Sequence, residues 1–210
     1  MDIDEKFLEL FSMDDECYSR LESPWSEGKW TYASDGFILV RVRRLMGIEG
    51  ANKFHIRIAG SELEKQLEAE GDWLPLPEIK AEGKCPVCDG SGESYQCPRC
   101  YDGSGDCMGD CPYCDGEGWV SREKAGMLAE LGGETCRACY RAGMDLKNKV
   151  MRIGGVYFQA RFIALLRGLP LPLISVRGEG RAARFTFDGG DGLLMPVRGD
   201  RTETWQVLPE

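Results

Sequence analysis

Eight of the nine cysteines between residues 85 and 139 are the residues of this sequence best suited to chemistry. They form four Cys-x-x-Cys pairs: Cys85/Cys88, Cys97/Cys100, Cys111/Cys114 and Cys136/Cys139. Thiolate sulfur suits Zn²⁺, and two cysteines three positions apart can hold one ion through a tight turn. The four pairs therefore supply ligands for two four-cysteine zinc sites, and we predict two Zn²⁺ ions per chain.

The residues around the pairs are those that a metal-binding turn needs. Three pairs run on into glycine-rich turns, at 85–92, 97–105 and 111–118. Glycine tolerates a positive φ, which lets backbone N–H groups turn towards the sulfur atoms and offset their charge. The cysteine-rich stretch has few apolar residues, so we expect it to fold only with metal. Zinc binding supplies on the order of 10 kcal/mol per site.

Other chemistries of the same cysteines remain as alternatives. A redox-active dithiol needs only one Cys-x-x-Cys pair, and four thiolates can also hold an iron–sulfur cluster. A catalytic zinc site keeps an open position and uses His or carboxylate ligands, and the only histidine, His55, is remote in sequence. Cys107 could replace a neighbouring ligand, but we interpret it as a spare thiol. Cys17 is interpreted as an ordinary core residue.

Hydrophobic periodicity and turn signals predict the elements that position these residues. Asp35-Gly36 lies between two β-rich runs and predicts a tight hairpin. Ser61, with Glu64 three residues later, predicts the start of a helix. Pro196 predicts a sheet edge or a bulge. The predicted helices cover 3–12, 62–69 and 159–168, and the predicted strands cover 29–34, 37–43, 53–58, 150–154, 156–158, 172–177, 183–188 and 192–198.

The segments on either side of the cysteines share an order of elements. In each, an amphipathic helix precedes an Asp-Gly dipeptide, at Asp35 and at Asp191, by nearly the same distance. Asp-Gly hairpins are common, so either duplication or chance explains the match. We predict an α+β fold with two helix-plus-antiparallel-strands halves, at 1–80 and 144–210, interrupted by a zinc-binding insertion at 81–143.

Composition and charge bound the function. The 210 residues are 42 % apolar and 29 % charged, as in soluble globular proteins, and no apolar run approaches a membrane span. The acidic N-terminus is unlike a signal peptide, so we expect a cytoplasmic protein, in which Cys-x-x-Cys arrays bind metal rather than form disulfides. A net charge of −9 disfavours non-specific nucleic-acid binding by the cysteine module.

The glycine-containing pairs resemble the cysteine-rich zinc domain of DnaJ co-chaperones over about 55 residues. In that family the first pair binds zinc with the fourth and the second with the third. The resemblance implies one zinc on the first and fourth pairs of this chain and another on the second and third. The second repeat carries an extra residue, Tyr101 or Asp102, and the fourth is degenerate. The His-Pro-Asp signature of the J-domain is absent, so full co-chaperone activity is not implied.

The flanking segments, roughly 1–58 and 149–198, faintly resemble one domain of the bacterial DNA sliding clamp, which is also built from two helix-plus-strands halves. Clamp helices that face DNA are basic, whereas the helix at 3–12 is acidic. The whole arrangement also resembles uncharacterised phage or prophage-type proteins. A clamp-like, nucleic-acid-associated function would use a basic face in the C-terminal half, formed by Arg161, Arg167, Arg177, Arg181 and Arg184.

The sequence carries no phosphate loop, nucleophile elbow, Rossmann fingerprint or metalloprotease helix. We therefore expect a non-enzymatic zinc-binding adaptor that binds a protein partner. A nucleic-acid-associated clamp-like factor is the alternative. A zinc-thiolate redox or holdase module is the second alternative, and it would release zinc on mild oxidation.

Overall fold

The computed structural model describes residues 3–12, 23–48, 50, 58, 60–69, 71–100, 111–178, 180–198 and 205–209. Within these ranges the chain forms four α-helices, one 3₁₀ helix and thirteen strands, which are arranged in antiparallel and mixed sheets. The predicted α+β class is confirmed. In the described ranges, none of the helices is both long and apolar enough to cross a lipid bilayer.

A seven-stranded sheet, antiparallel throughout, forms the centre of the fold. Its spatial order is β1-β2-β3-β12-β11-β10-β4. The strands are β1 (Trp25–Glu27), β2 (Trp30–Ser34), β3 (Ile38–Arg43), β4 (Leu74–Pro75), β10 (Leu173–Ser175), β11 (Ala183–Phe187) and β12 (Gly190–Leu194). The β2–β3 turn is the predicted hairpin: the Asp35 carboxylate accepts the backbone N–H groups of Phe37 and Ile38, and Gly36 has a φ of 87°.

The two predicted halves are present as a helix followed by a three-stranded meander in each. α1 (Glu5–Glu9) precedes β1 to β3, and α4 (Ala160–Arg167) precedes β10 to β12. The halves meet where β3 pairs with β12, from Ile38↔Leu194 to Val42↔Gly190. Both meanders therefore end at the centre of the sheet, in antiparallel directions.

The prediction that Asp191-Gly192 forms the hairpin turn of the second half is wrong. Asp191 and its following glycine lie inside β12 rather than in a turn, and the second hairpin turns at Asp188-Gly189. Gly189, the second residue of this turn, has a positive φ of 114°, a backbone region that glycine adopts without steric cost. The Asp191 carboxylate is instead held by buried ion pairs. Pro196 lies beyond the end of β12, so it interrupts no ladder of the sheet.

Helices cover both faces of the sheet. On one face, Phe7, Leu8 and Phe11 of the α1 segment share an apolar core with Phe162 and Leu166 of α4. On the other face, α2 (Glu62–Glu68) covers a smaller cluster around Trp25 and Tyr32.

The helix ends follow the expected capping chemistry. α2 begins as predicted, because the Ser61 hydroxyl accepts the Glu64 backbone N–H. α1 is shorter than the predicted 3–12: it starts after Asp4, whose carboxylate accepts the Phe7 N–H at 2.8 Å, and its five residues end at Glu9. The helix predicted at 159–168 is confirmed as α4.

Two small sheets complete the described chain. One joins β8 (Lys149–Ile153) to β9 (Val156–Gln159) and, in parallel, to β13 (Gln206–Val207). The other lies within the cysteine module and has the order β6-β5-β7. Its members are β5 (Glu93–Gln96), β6 (Trp119–Val120) and β7 (Glu134–Thr135), and α3 (Arg122–Ala125) and a 3₁₀ helix (Gly126–Leu131) lie between the last two.

Some predictions lie outside the described residues. These are the strand at 53–58 apart from its last position, the extra residue of the second cysteine repeat at Tyr101 or Asp102, and the interpretations of Cys17, His55 and Cys107.

Candidate metal centres

The structure brings the eight cysteines together in two groups of four, each compact enough to hold one metal ion. Site 1 is the group of Cys85, Cys88, Cys136 and Cys139, and site 2 is the group of Cys97, Cys100, Cys111 and Cys114. The first pair thus meets the fourth and the second meets the third, which is the grouping that the DnaJ resemblance implied.

The distances between sulfur atoms fit a tetrahedral ion. The Sγ atoms of Cys85 and Cys136 are 3.8 Å apart, and those of Cys88 and Cys139 are 3.7 Å apart. In site 2, the Sγ atoms of Cys100 and Cys114 are 3.7 Å apart. Four sulfurs at Zn–S distances of about 2.3 Å lie about 3.8 Å from one another at the corners of a tetrahedron. This spacing suits Zn²⁺ in both groups. The four cysteines of site 1 are free thiols, whereas Cys100 of site 2 is disulfide-bonded in this structure and could bind a metal only after reduction.

Glycines four residues after a cysteine supply the predicted backbone donors. Gly92 donates its N–H to the Cys88 sulfur and Gly118 donates to the Cys114 sulfur, both at 3.3 Å. These glycines have φ values of 80° and 71°. At Gly92 an added Cβ would also lie 3.0 Å from the backbone of Arg141.

The degenerate fourth repeat forms the same turn as the complete ones. In the first repeat the two residues after the second cysteine, Asp89 and Gly90, have φ values of 50° and 87°. The corresponding residues of the fourth repeat, Tyr140 and Arg141, have φ values of 45° and 67°. Non-glycine residues rarely adopt this backbone region, so the surrounding structure must stabilise it here.

Reciprocal hydrogen bonds join the two turns of site 1. The Cys85 N–H donates to the Gly143 carbonyl at 2.9 Å, and the Cys136 N–H donates to the Gly92 carbonyl at 3.0 Å. A Cβ added at Gly143 would lie 2.5 Å from the Gly90 carbonyl oxygen. This close approach explains why the fourth repeat keeps glycine at this position although it has lost its other glycine.

The two sites differ in burial. The four cysteines of site 1 are at most 1 % exposed and belong to the same apolar core as α1 and α4. In site 2, Cys100 and Cys111 are half-buried, and the described apolar residues that pack with the group, including Tyr95 and Val120, belong to the module. The module therefore shares the core of the protein at site 1 and has its own small cluster at site 2.

The cysteines of site 1 influence one another's ionisation. Hydrogen bonds from Cys136 and Cys139 lower the pKa of Cys85 to about 2. The pKa of Cys139 is raised, because its thiol hydrogen-bonds to Cys136 and Cys85 and because it is buried. The pKa shifts thus favour a thiolate at Cys85 and a protonated thiol at Cys139. A divalent cation would offset the charge of all four and permit four thiolates.

Arg137 ties the module to the N-terminal half. Its guanidinium donates to the backbone carbonyls of Ser12, at 2.9 Å, and Glu9, at 3.2 Å. These carbonyls lie at the C-terminal end of the α1 segment, where a cation is favourable. The Tyr140 ring lies 6.2 Å from the ring of Phe162 in α4. The module therefore contacts both helices of the central core.

Most arginines of the proposed basic face form hydrogen bonds or ion pairs with other residues of the chain. Arg161 bonds to the Gln159 side chain, and the other contacts go to backbone carbonyls or acids. Arg167 donates to Leu76 and Pro77, Arg177 donates to Ala69, and Arg184 donates to Ala69 and Asp191. Only Arg181 of the five is exposed without a described polar contact. Six of the eight residues of α4 are buried, and the other two are Arg161 and Arg167. Because Arg167 is held by two backbone carbonyls, the helix offers a single arginine rather than a basic face.

A buried charge network was not foreseen from the sequence. The Asp191 carboxylate on β12 accepts from Arg41 on β3, at 2.6 and 3.0 Å, and from Arg184 on β11, at 2.9 Å. The Arg41 guanidinium also lies 4.5 Å from the centroid of the Trp30 ring. An aspartate in an otherwise apolar strand could have indicated a buried ion pair. Because Asp191 was interpreted as a turn residue, this ion pair was not predicted.

The fold and the sites define an α+β protein with two four-cysteine groups that could each hold a metal ion, which is consistent with zinc-binding modules. Comparison with known proteins finds no matching family model, no matching curated protein and no matching solved structure. The resemblances to DnaJ zinc domains, sliding clamps and phage proteins therefore rest on sequence motifs alone.

Proposed function

We propose that the chain binds two Zn²⁺ ions, one in each cysteine group, and that both ions are structural. The spacing of 3.7–3.8 Å between sulfurs is the observation that supports this most directly. Four cysteines saturate a tetrahedral ion and leave no position for water or substrate, unlike a catalytic site. The metal then serves the fold rather than a reaction.

Metal content tests this step. We expect elemental analysis of the purified protein to give two zinc ions per chain, and Co²⁺ substitution to give the absorption of tetrahedral thiolate coordination. Substituting serine for one cysteine of each group, at Cys88 and at Cys114, should remove one ion in each case. Iron with a visible cluster spectrum, or a disulfide-bonded chain without metal, would contradict the proposal.

We further propose that the protein is a non-enzymatic adaptor that uses the metal-stabilised module to bind a protein partner. The 3₁₀ helix supports this: Leu128 and Ala129 pack on the site 2 cluster, whereas Met127 is 87 % exposed and Leu131 is 70 % exposed. Apolar side chains held outward on a rigid support are typical of protein contact sites.

Reconstituted binding tests the adaptor function. A partner captured from the source cells should be identified, purified and shown to bind the zinc-loaded chain directly. Replacing Met127 and Leu131 together by serine should weaken that complex at least tenfold without changing metal content. Replacing Met46, which is 99 % exposed on another part of the chain, should leave binding unchanged. The adaptor proposal fails if no purified protein binds the zinc-loaded chain.

A further inference from the structure

A cleft lies between the cysteine module and the flanking domain. It consists of two adjoining cavities of about 340 and 240 Å³, which share the wall residues Val87, Glu117, Ala138 and Arg161. Cavities of this size hold a few side chains of a ligand. We propose that this cleft binds a peptide segment that carries one carboxylate beside an apolar side chain. The inference rests on the proposed adaptor function and names the chemistry of its partner.

Three of the four described cations of the cleft wall, Lys147, Lys149 and Arg137, are held by other groups of the chain. The Arg137 guanidinium donates to the backbone carbonyls of Ser12 and Glu9. Lys147 forms an ion pair with Glu117 at 3.0 Å, across the cleft from the module to the domain. Lys149 forms an ion pair with Asp145 at 3.3 Å and also donates to a backbone carbonyl. Neither lysine therefore requires an external anion.

Arg161 is the exception. Its Nε donates to the Gln159 side chain at 3.0 Å, and its guanidinium lies 4.7 Å from the Phe162 ring centroid. Among the described residues it forms no ion pair. The charge of Arg161 influences Asp35, but that carboxylate is used by two backbone N–H groups of its own turn. The hydrogen bond of Nε thus fixes the orientation of the guanidinium. Its two terminal nitrogens, Nη1 and Nη2, remain available to bind a carboxylate through two hydrogen bonds.

The remaining walls restrict the ligand to a peptide with isolated charge. Val87, Ala138 and Trp119 contribute apolar surface next to Arg161. Glu134 lies in the same wall and has no ion-pair partner among the described residues, so a polyanion such as a nucleic acid would be repelled. A single carboxylate with an apolar neighbour satisfies both the cation and the apolar walls.

Two short peptides test the proposal on the full zinc-loaded chain. Both are N-acetylated and C-amidated heptapeptides in which leucines flank a central residue, which is glutamate in one and glutamine in the other. We expect calorimetry to show binding of the glutamate peptide and at least tenfold weaker binding of the glutamine peptide, because a bidentate charged contact is lost. Trp119 and Trp205 line the cleft, so their fluorescence should report the same binding.

Variants locate the site. Arg161→Gln should weaken binding of the glutamate peptide at least tenfold, and Arg161→Lys should be intermediate because it keeps charge but not the planar fork. Arg152→Gln is the matched control: it removes the same charge from an exposed position on β8 outside the cleft. Each variant must keep two zinc ions and the wild-type melting temperature.

Four results would overturn the inference: no binding of the glutamate peptide at millimolar concentration, equal binding of both peptides, equal weakening by Arg152→Gln, or displacement of the peptide by a single-stranded oligonucleotide. The adaptor function is judged separately with the purified partner. If Arg161→Gln leaves that complex intact, the cleft proposal fails while the adaptor function stands.

Discussion

Removing one ligand from each site should have very different consequences for the rest of the molecule. Cys88 and Cys114 are matched positions, since each is the second cysteine of a complete repeat and each accepts a glycine N–H at 3.3 Å. Cys88 belongs to the core that holds α1 and α4, whereas Cys114 belongs to the cluster of the module. We predict that Cys88→Ser destabilises the whole protein and that Cys114→Ser destabilises only the module.

The magnitude follows from the free energies involved. A four-cysteine zinc site contributes on the order of 10 kcal/mol. The total stability of a domain is about 5–15 kcal/mol. Losing even half of the site 1 contribution would therefore remove a large share of the stability of the core. The same loss at site 2 acts on residues that pack mainly with one another, so the central sheet should keep its stability.

Hydrogen exchange with mass spectrometry separates the two outcomes. In Cys88→Ser we expect faster exchange in β3 and β12 as well as in the module, and in Cys114→Ser faster exchange confined to about residues 93–135. Both variants should be compared at equal free zinc. Wild-type protection of β3 and β12 in Cys88→Ser, or their loss of protection in Cys114→Ser, would refute the division of the metal sites between core and module.

Three further predictions follow from the charges and the metal sites. Asp191→Asn should lower the free energy of unfolding by about 3–5 kcal/mol, because the buried Arg41 and the half-buried Arg184 lose their carboxylate. Asp188→Asn in the exposed turn should change it little, and chemical denaturation measures both. Burial raises the pKa of Asp35, so its contribution to stability is present at low pH and is lost as pH rises through the folded pKa. Asp35→Asn should therefore stabilise the protein at pH 7 and not at pH 3. An equal effect at both pH values would contradict this prediction. A chromogenic chelator should remove the two metals in separate phases, the half-buried site 2 first, and a single phase would show that the sites are coupled.

Local chemistry made parts of this structure predictable. The β2–β3 hairpin depends on Asp35 and Gly36, and the start of α2 depends on Ser61, so a few neighbouring residues determine each. The same holds for the Cys-x-x-Cys turns, whose ligand spacing is set within four residues. The grouping of the cysteines into two sites came from the resemblance to DnaJ zinc domains, because spacing alone does not say which pairs combine.

Features that depend on distant parts of the chain were not predictable. Nothing near Cys85 indicates that site 1 shares a core with α1 and α4, since their apolar residues are far away in sequence. The positive φ of Tyr140 and Arg141 is not a preference of their residue types, so their own sequence did not indicate it. The Asp-Gly dipeptide predicted a turn at Asp191, and no neighbouring residue indicated its ion pair with Arg41, 150 positions earlier.

The position of site 1 in the chain has a consequence for the order of folding. Its first and third cysteines, Cys85 and Cys136, are 51 positions apart, inside the 150 positions that separate Arg41 from Asp191. Closing that loop with metal lowers the entropy cost of bringing β3 to β12 by only about 0.4 kcal/mol. During synthesis, site 1 is complete once residue 139 has emerged, before α4 exists to cover it. A metal-loaded module would then expose the apolar surface on which the second half of the chain assembles. The module would therefore assist folding mainly through this surface and only slightly by shortening the loop between β3 and β12.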